Sequence, residues 1–134
     1  MKYPKISIVT PVFNQVQYLV QTILSIITQD YPNLEYIVID GGSTDGTVDL
    51  IRKYEAHLTY WVSEPDNGMY HAIQKGFEHS TGEIMCWLNS DDIFLDKCLF
   101  AIAHVFIQHP EINWFSARGA SIDANNMIIN VDNI

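Results

Sequence analysis

The chain has 134 residues, of which 16 are Asp or Glu and 7 are Lys or Arg, giving a formal charge of -9, with 48% hydrophobic and 12% aromatic content. That composition describes one ordinary globular domain with enough apolar material for a core, and no disorder. The acidic excess argues against nucleic acid as a partner, because affinity for a phosphate backbone rests on Lys and Arg, and a phosphorylated ligand would need a cation beside it.

The N-terminal MKYPKISIVTPVF does not read as a cleavable signal, since its apolar stretch is short and runs straight into a patterned strand and helix. Lys5 to Thr10 (KISIVT) is β-branched and apolar, as a buried strand should be, and Pro11 cannot donate to a continuing ladder. Asn14 is placed to cap a helix whose apolar residues Leu19, Val20, Ile23, Leu24 and Ile27 recur at helical spacing, with Pro32 soon after. A second unit joins the strand Glu35 to Asp40 (EYIVID) through the loop GGSTDG to a helix with Val48, Ile51 and Tyr54 on one side. The third runs from Leu58 to Val62 (LTYWV) through SEPDNG into a helix from Met69 to His79. In the fourth, Glu83 to Leu88 (EIMCWL) leads through NSDD to a helix from Asp96 to Gln108. A strand INWFSA and a hairpin around SIDANNMIIN follow.

No stretch of about 18 uninterrupted apolar residues occurs, so no transmembrane helix is encoded. Cys86 and Cys98 fall in an apolar strand and an apolar helix, and read as reduced, buried thiols of a cytosolic protein. There is no internal repeat, linker or low-complexity tract.

Strands that are apolar throughout, separated by amphipathic helices, specify an α/β fold: an open, mostly parallel sheet with helices on both faces. In each unit the polar residues gather where strand gives way to helix: Thr10 to Asn14, Asp40 to Asp45, Ser63 to Gly68, and Asn89 to Asp92. Such loops share one edge of a parallel sheet, where ligands bind outside the carboxyl ends of the strands.

No GxxxxGK[ST] loop is present, and GGSTDG does not match GxGxxG, so no glycine-rich turn wraps a nucleotide phosphate. A hard divalent cation held by one or two carboxylates is the alternative, and the adjacent Asp91 and Asp92 suit it. The competing reading is that one of them caps the following helix. Asp40 reads either as a turn residue or as an acceptor for a base or ribose donor. Asp45 is a cap for the second helix or a brace for its loop, and Phe13 either stacks on a base or packs in the core. The histidines show no metal-ligand spacing; His71 stands apart because it begins a helix beside the crevice.

ISIVTPVFN, YIVIDGGSTDGT, SEPDNGMYHAIQKG and TGEIMCWLNSDD, in this order, resemble the family 2 inverting glycosyltransferases of GT-A fold, with bacterial enzymes that build surface polysaccharides the nearest in pattern. The resemblance covers residues 4 to 95 closely. It implies binding of a nucleotide-diphosphate sugar, a UDP-sugar in the first place, with Pro11 and Phe13 at the base pocket, Asp40 by the base and Asp66 by the nucleoside. Asn14 and Asn67 complete the implied nucleotide-sugar set. Asp91 would approach the ribose or sugar, and Asp92, with Asp91, would hold Mg²⁺ or Mn²⁺ on the diphosphate. The sugar would pass to a glycan or lipid-linked acceptor, in the cytoplasm or peripherally at the inner face of the membrane.

The pattern also departs from the family. Gly41 and Asn89 stand where many relatives have Asp, and His71 and Gln74 replace the Asp and Asn of YDAxNKG. An inverting transfer needs a general base, which the family places well after the DD motif, so the base is expected beyond Ile134 and the chain reads as one domain stopping before the acceptor part. Asp123 and Asp132 are too early and loop-like to serve. A chain lacking that half should expose a strand edge and pair with itself. Two rival readings are a non-catalytic nucleotide-sugar-binding module, and a nucleotidyltransferase, which would carry a basic Gly-rich loop that PVFNQV lacks.

Overall fold

A computed structural model describes residues 2–116, 120–122, 125 and 127–131. Strands β1 (Ile6–Val12), β2 (Leu34–Asp40), β3 (Tyr60–Ser63) and β4 (Ile84–Trp87) form one parallel sheet in the order β3-β2-β1-β4. Helices α1 (Val16–Ile27), α2 (Thr47–Lys53), α3 (Met69–Glu78) and α4 (Cys98–Gln108) connect and follow the strands, with a short 3₁₀ turn at Glu55–His57. The antiparallel pair β5 (Ala120–Ile122) and β6 (Ile128–Val131) is the expected hairpin. Residues 112–116 form no strand, in contrast to the expectation for INWFSA, and Asp123 and Asp132 lie outside the described residues. No helix among the described residues is long and apolar enough to cross a membrane.

The central strands β1 and β2 are buried on both faces, as their continuous apolar runs require. Ile6, Ile8, Val12, Tyr36 and Val38 pack with Leu19, Ile23, Ile51 and Leu99 on one side. On the other, Val9, Ile37 and Ile39 meet Ala72 of α3. Gly76 lets α3 lie flat there, since a Cβ at this position would come 2.3 Å from Cγ1 of Val9. The strand order reverses direction between β1 and β4, the place where open α/β sheets leave a crevice.

β1 continues through Pro11 to Val12, two residues past the expected end. Val9 accepts from Leu88 on the β4 side and Val12 from Gly41 on the β2 side, so the alternation of the strand turns Pro11 toward β4, beyond its last rung. The missing N–H of proline therefore leaves no hole in the ladder. α4 begins at Cys98, two residues later than expected, because the preceding segment is tied to α1. Thr22 donates its hydroxyl to the Asp92 carbonyl, the Ser25 hydroxyl accepts the Phe94 N–H, and Gln29 bonds both the Leu95 carbonyl and the Leu99 N–H. These residues share one face of α1, spaced three and four apart.

Candidate functional site

All four strand-end loops turn toward one crevice of about 550 Å³, within the size range of small-molecule sites. Pro11, Val12, Phe13 and Gln15 come from the β1 end, Gly41 from β2, Asp66, Gly68, Met69 and Ala72 from the β3 loop and α3, and Asn89, Ser90 and Asp91 from β4. The convergence predicted from periodicity is present. Of the residues singled out in the sequence, Pro11, Phe13, Asp66 and Asp91 line this space, and Asn14, Asp40, Asn67 and Asp92 stand behind or beside it. Phe13 is 58% exposed, which removes the core-packing alternative.

Asp40 is fully buried at the end of β2, between Val12 and Ser63. Its Oδ2 accepts from the Gly42 N–H at 3.1 Å, the Ser43 N–H at 2.9 Å and the Ser63 hydroxyl at 2.6 Å, and Oδ1 accepts from the Ser43 hydroxyl. The turn-forming reading describes these contacts: the carboxylate organises the GGS loop rather than facing the crevice. Asn14 is likewise a brace and not the expected helix cap. With φ of 52°, its N–H donates to the Ser43 hydroxyl and its Oδ1 accepts the Thr44 N–H. Asp45 takes over the capping, accepting the Val16 N–H of α1 and the Thr47 N–H of α2, the first amide of each helix.

The Asn89–Asp92 segment is a tight turn closed by the Asp92 N–H on the Asn89 carbonyl, and the helix that follows starts at Cys98. Neither Asp91 nor Asp92 caps it. Burial and the neighbouring Asp91 push the Asp92 acid above its ordinary value, and a hydrogen bond from Asn89 acts against them. Among the described residues no three His, Cys, Asp or Glu side chains gather as a ready cage. Two adjacent carboxylates are nonetheless enough for Mg²⁺ or Mn²⁺ when phosphate and water supply the remaining positions. The local chemistry fits a cation, since among the described residues no Lys or Arg lines the crevice and the Asn89 Oδ1 is a buried acceptor without a partner.

Sequence reasoning passed over Gln15 and Met69 as lining residues. Their proximity to the strand ends was available as a signal, but no chemistry in their side chains marked them. Cys86 and Cys98 are free and partly buried, and burial, with Cys98 adding to it, pushes the Cys86 thiol up to about 12. His79 stacks on Tyr60, and His109 lies 3.4 Å from Glu111.

A parallel sheet with a crevice at its strand ends defines an open α/β domain of the kind that takes ligands at that edge. The chain belongs to the family described as "Glycosyl transferase family 2", whose model matches residues 7–130. Similar proteins include the uncharacterized glycosyltransferase Rv1514c of Mycobacterium tuberculosis (40% identical over 68% of this chain and 35% of that protein). The putative teichuronic acid biosynthesis glycosyltransferase TuaG of Bacillus subtilis is 35% identical over 66% of this chain and 36% of that protein. Among solved structures, S. aureus TarS superposes with a TM-score of 0.73 at 27% identity, over 79% of this chain and 20% of that one. The mannosyltransferase PcManGT from Pyrobaculum calidifontis, in complex with GDP-Man and Mn²⁺, gives 0.70 at 27% identity, over 78% and 33%. The chain spans about a third of the length of the curated relatives it matches.

Proposed function

We propose that this chain is the donor-binding part of an inverting glycosyltransferase that moves sugar from a nucleotide-diphosphate sugar, a UDP-sugar first, to a glycan or lipid-linked acceptor during polysaccharide synthesis. The observation that carries the reading is the crevice of about 550 Å³ into which all four strand-end loops turn, in a chain of family 2. Phe13 offers an exposed aromatic face to the base, with Pro11 beside it. Asp66 accepts from the nucleoside and Asp91 from ribose or sugar hydroxyls. Asp40, Asn14 and Asn67 serve in this reading as the frame of the loops that carry those groups.

Asp91 and Asp92 would hold Mg²⁺ or Mn²⁺. A bound divalent ion neutralises the charge that builds on the departing nucleoside diphosphate. Support comes from the crevice, whose lining among the described residues has no Lys or Arg to balance a diphosphate, and from PcManGT with GDP-Man and Mn²⁺ and TarS with UDP. The general base and acceptor wall are assigned to sequence outside the matched third of the relatives' length. The reading includes a cytoplasmic location, peripheral to the membrane where the acceptor is lipid-linked.

Calorimetry of the chain with UDP, with and without Mn²⁺, tests the proposal. Saturable binding that weakens at least tenfold without Mn²⁺ is expected. An absence of UDP and GDP binding with either ion would overturn the nucleotide reading, and equal affinity without metal would overturn the metal role.

A further inference from the structure

α3 begins after Gly68, whose φ of 107° is one that glycine adopts readily and which offers no side chain to cap the helix. The amides ahead of the helix are satisfied from elsewhere. Asp66 Oδ1 accepts the Gly68 N–H at 2.9 Å, and His71, at the third helical position, reaches back so that its Nδ1 accepts the Asn67 N–H at 2.9 Å. The second contact is a relative of the capping box, in which a side chain at that position bonds an amide at the helix entrance. A ring nitrogen that accepts carries no proton, so His71 is held as the neutral Nε2–H tautomer.

This bond secures a wall of the crevice. Asp66 and Gly68 line the crevice on either side of Asn67, and the Asp66 carboxylate packs so closely on Gly41 that a Cβ there would lie 3.0 Å from Oδ2. The turn that carries Asp66 is therefore fixed at one end by its packing on Gly41 and at the other by His71.

We infer that His71 is a positioning residue for the donor site: its unprotonated Nδ1 anchors the turn from Asp66 to Gly68 and so holds the Asp66 carboxylate at the crevice wall. The inference rests on the nucleotide reading above. Protonation of the ring places one N–H opposite another and the anchor is lost. The charged groups nearest in the chain are Asp66 in the same turn, Lys75 one helical turn along α3, and Glu64 just after β3. Lys75 and Glu64 pair with each other at 2.9 Å. Loss of that anchor should therefore lower donor affinity.

Two variants separate this role from general stability. His71→Asn keeps an acceptor at the same distance from the backbone and does not titrate, whereas His71→Phe keeps a ring and removes the acceptor. The Asn67 amide is followed by NMR, and UDP affinity with Mn²⁺ by calorimetry, from pH 5 to 8.5. In the wild type the Asn67 amide should track the His71 ring, with affinity falling about 3–10-fold at the acid end, the range for one hydrogen bond. The His71→Asn protein should show no such step, and His71→Phe should bind weakly throughout. An Asn67 amide indifferent to the ring, or a wild-type pH profile in His71→Asn, would overturn the positioning role alone. No UDP binding by any of the three proteins at any pH would overturn the nucleotide reading and this inference with it.

Discussion

Burial and the Asp91 charge raise the acid of Asp92, and an acid raised in the folded state weakens the fold when it ionises. The penalty is absent below the ordinary value of 3.8, grows as pH rises from there, and is complete above the raised folded value. Asp92→Asn should therefore increase the melting temperature at neutral pH, with the difference closing in acid, while abolishing the Mn²⁺ dependence of UDP binding. Melts at pH 3 and 7 beside calorimetry check both; a lower melting temperature at pH 7 would contradict the electrostatic account. Replacing Asp40 should destabilise the fold instead. Asp40→Ala removes the acceptor of the part-buried Gly42 and Ser43 amides and Ser63 hydroxyl, and the loss should be about 1–3 kcal/mol. Urea denaturation reads it directly, and an unchanged midpoint would return Asp40 to a ligand-facing role. The sequence made Asp40 conspicuous but left its partners ambiguous, because Ser63 arrives from the next strand and no local pattern reveals that register.

The elements were legible because buried parallel strands are apolar without interruption and the helices keep a 3.6-residue period. Their ends were less so. The continuation through Pro11 depends on which neighbour the missing N–H faces, and the cap of α1 comes from Asp45, in a loop beyond the next strand. The start of α4 depends on the polar face formed by Thr22, Ser25 and Gln29, a stripe at helical spacing that the apolar pattern overshadowed. The close packing of α3 on β1 was also invisible until Gly76 met Val9. Gly76→Ala should overpack that contact and cost about 1–3 kcal/mol, with α3 pushed away from the sheet. Chemical denaturation would show the loss, and a paired Val9→Ala should restore part of it. If Gly76→Ala were neutral or stabilising, the helix would have room that the contact denies.

At the scale of the whole molecule, the described sheet presents β4 as an edge strand, with Met85 53% and Trp87 48% exposed on it. An unpaired edge beside apolar side chains invites pairing, so the 134-residue chain should self-associate as its concentration rises. The lining of the crevice bears on catalysis. Among the described residues the carboxylates lining the crevice are Asp66 and Asp91, and the donor reading occupies both, which leaves neither to deprotonate an attacking hydroxyl. This chain should bind UDP-sugar with Mn²⁺ yet form almost no glycosylated product. Slow release of UDP by hydrolysis is expected, because water can enter an open crevice and the leaving group remains neutralised by the ion. Incubation with a panel of nucleotide sugars and simple acceptors, followed by separate measurement of free nucleoside diphosphate and glycosylated product, distinguishes the two outcomes. Product forming as fast as nucleoside diphosphate is released would mean that the chain already holds its base. His71, whose Nε2 is the free edge of the ring, would then be the first residue to replace, with Asp123 and Asp132 after it.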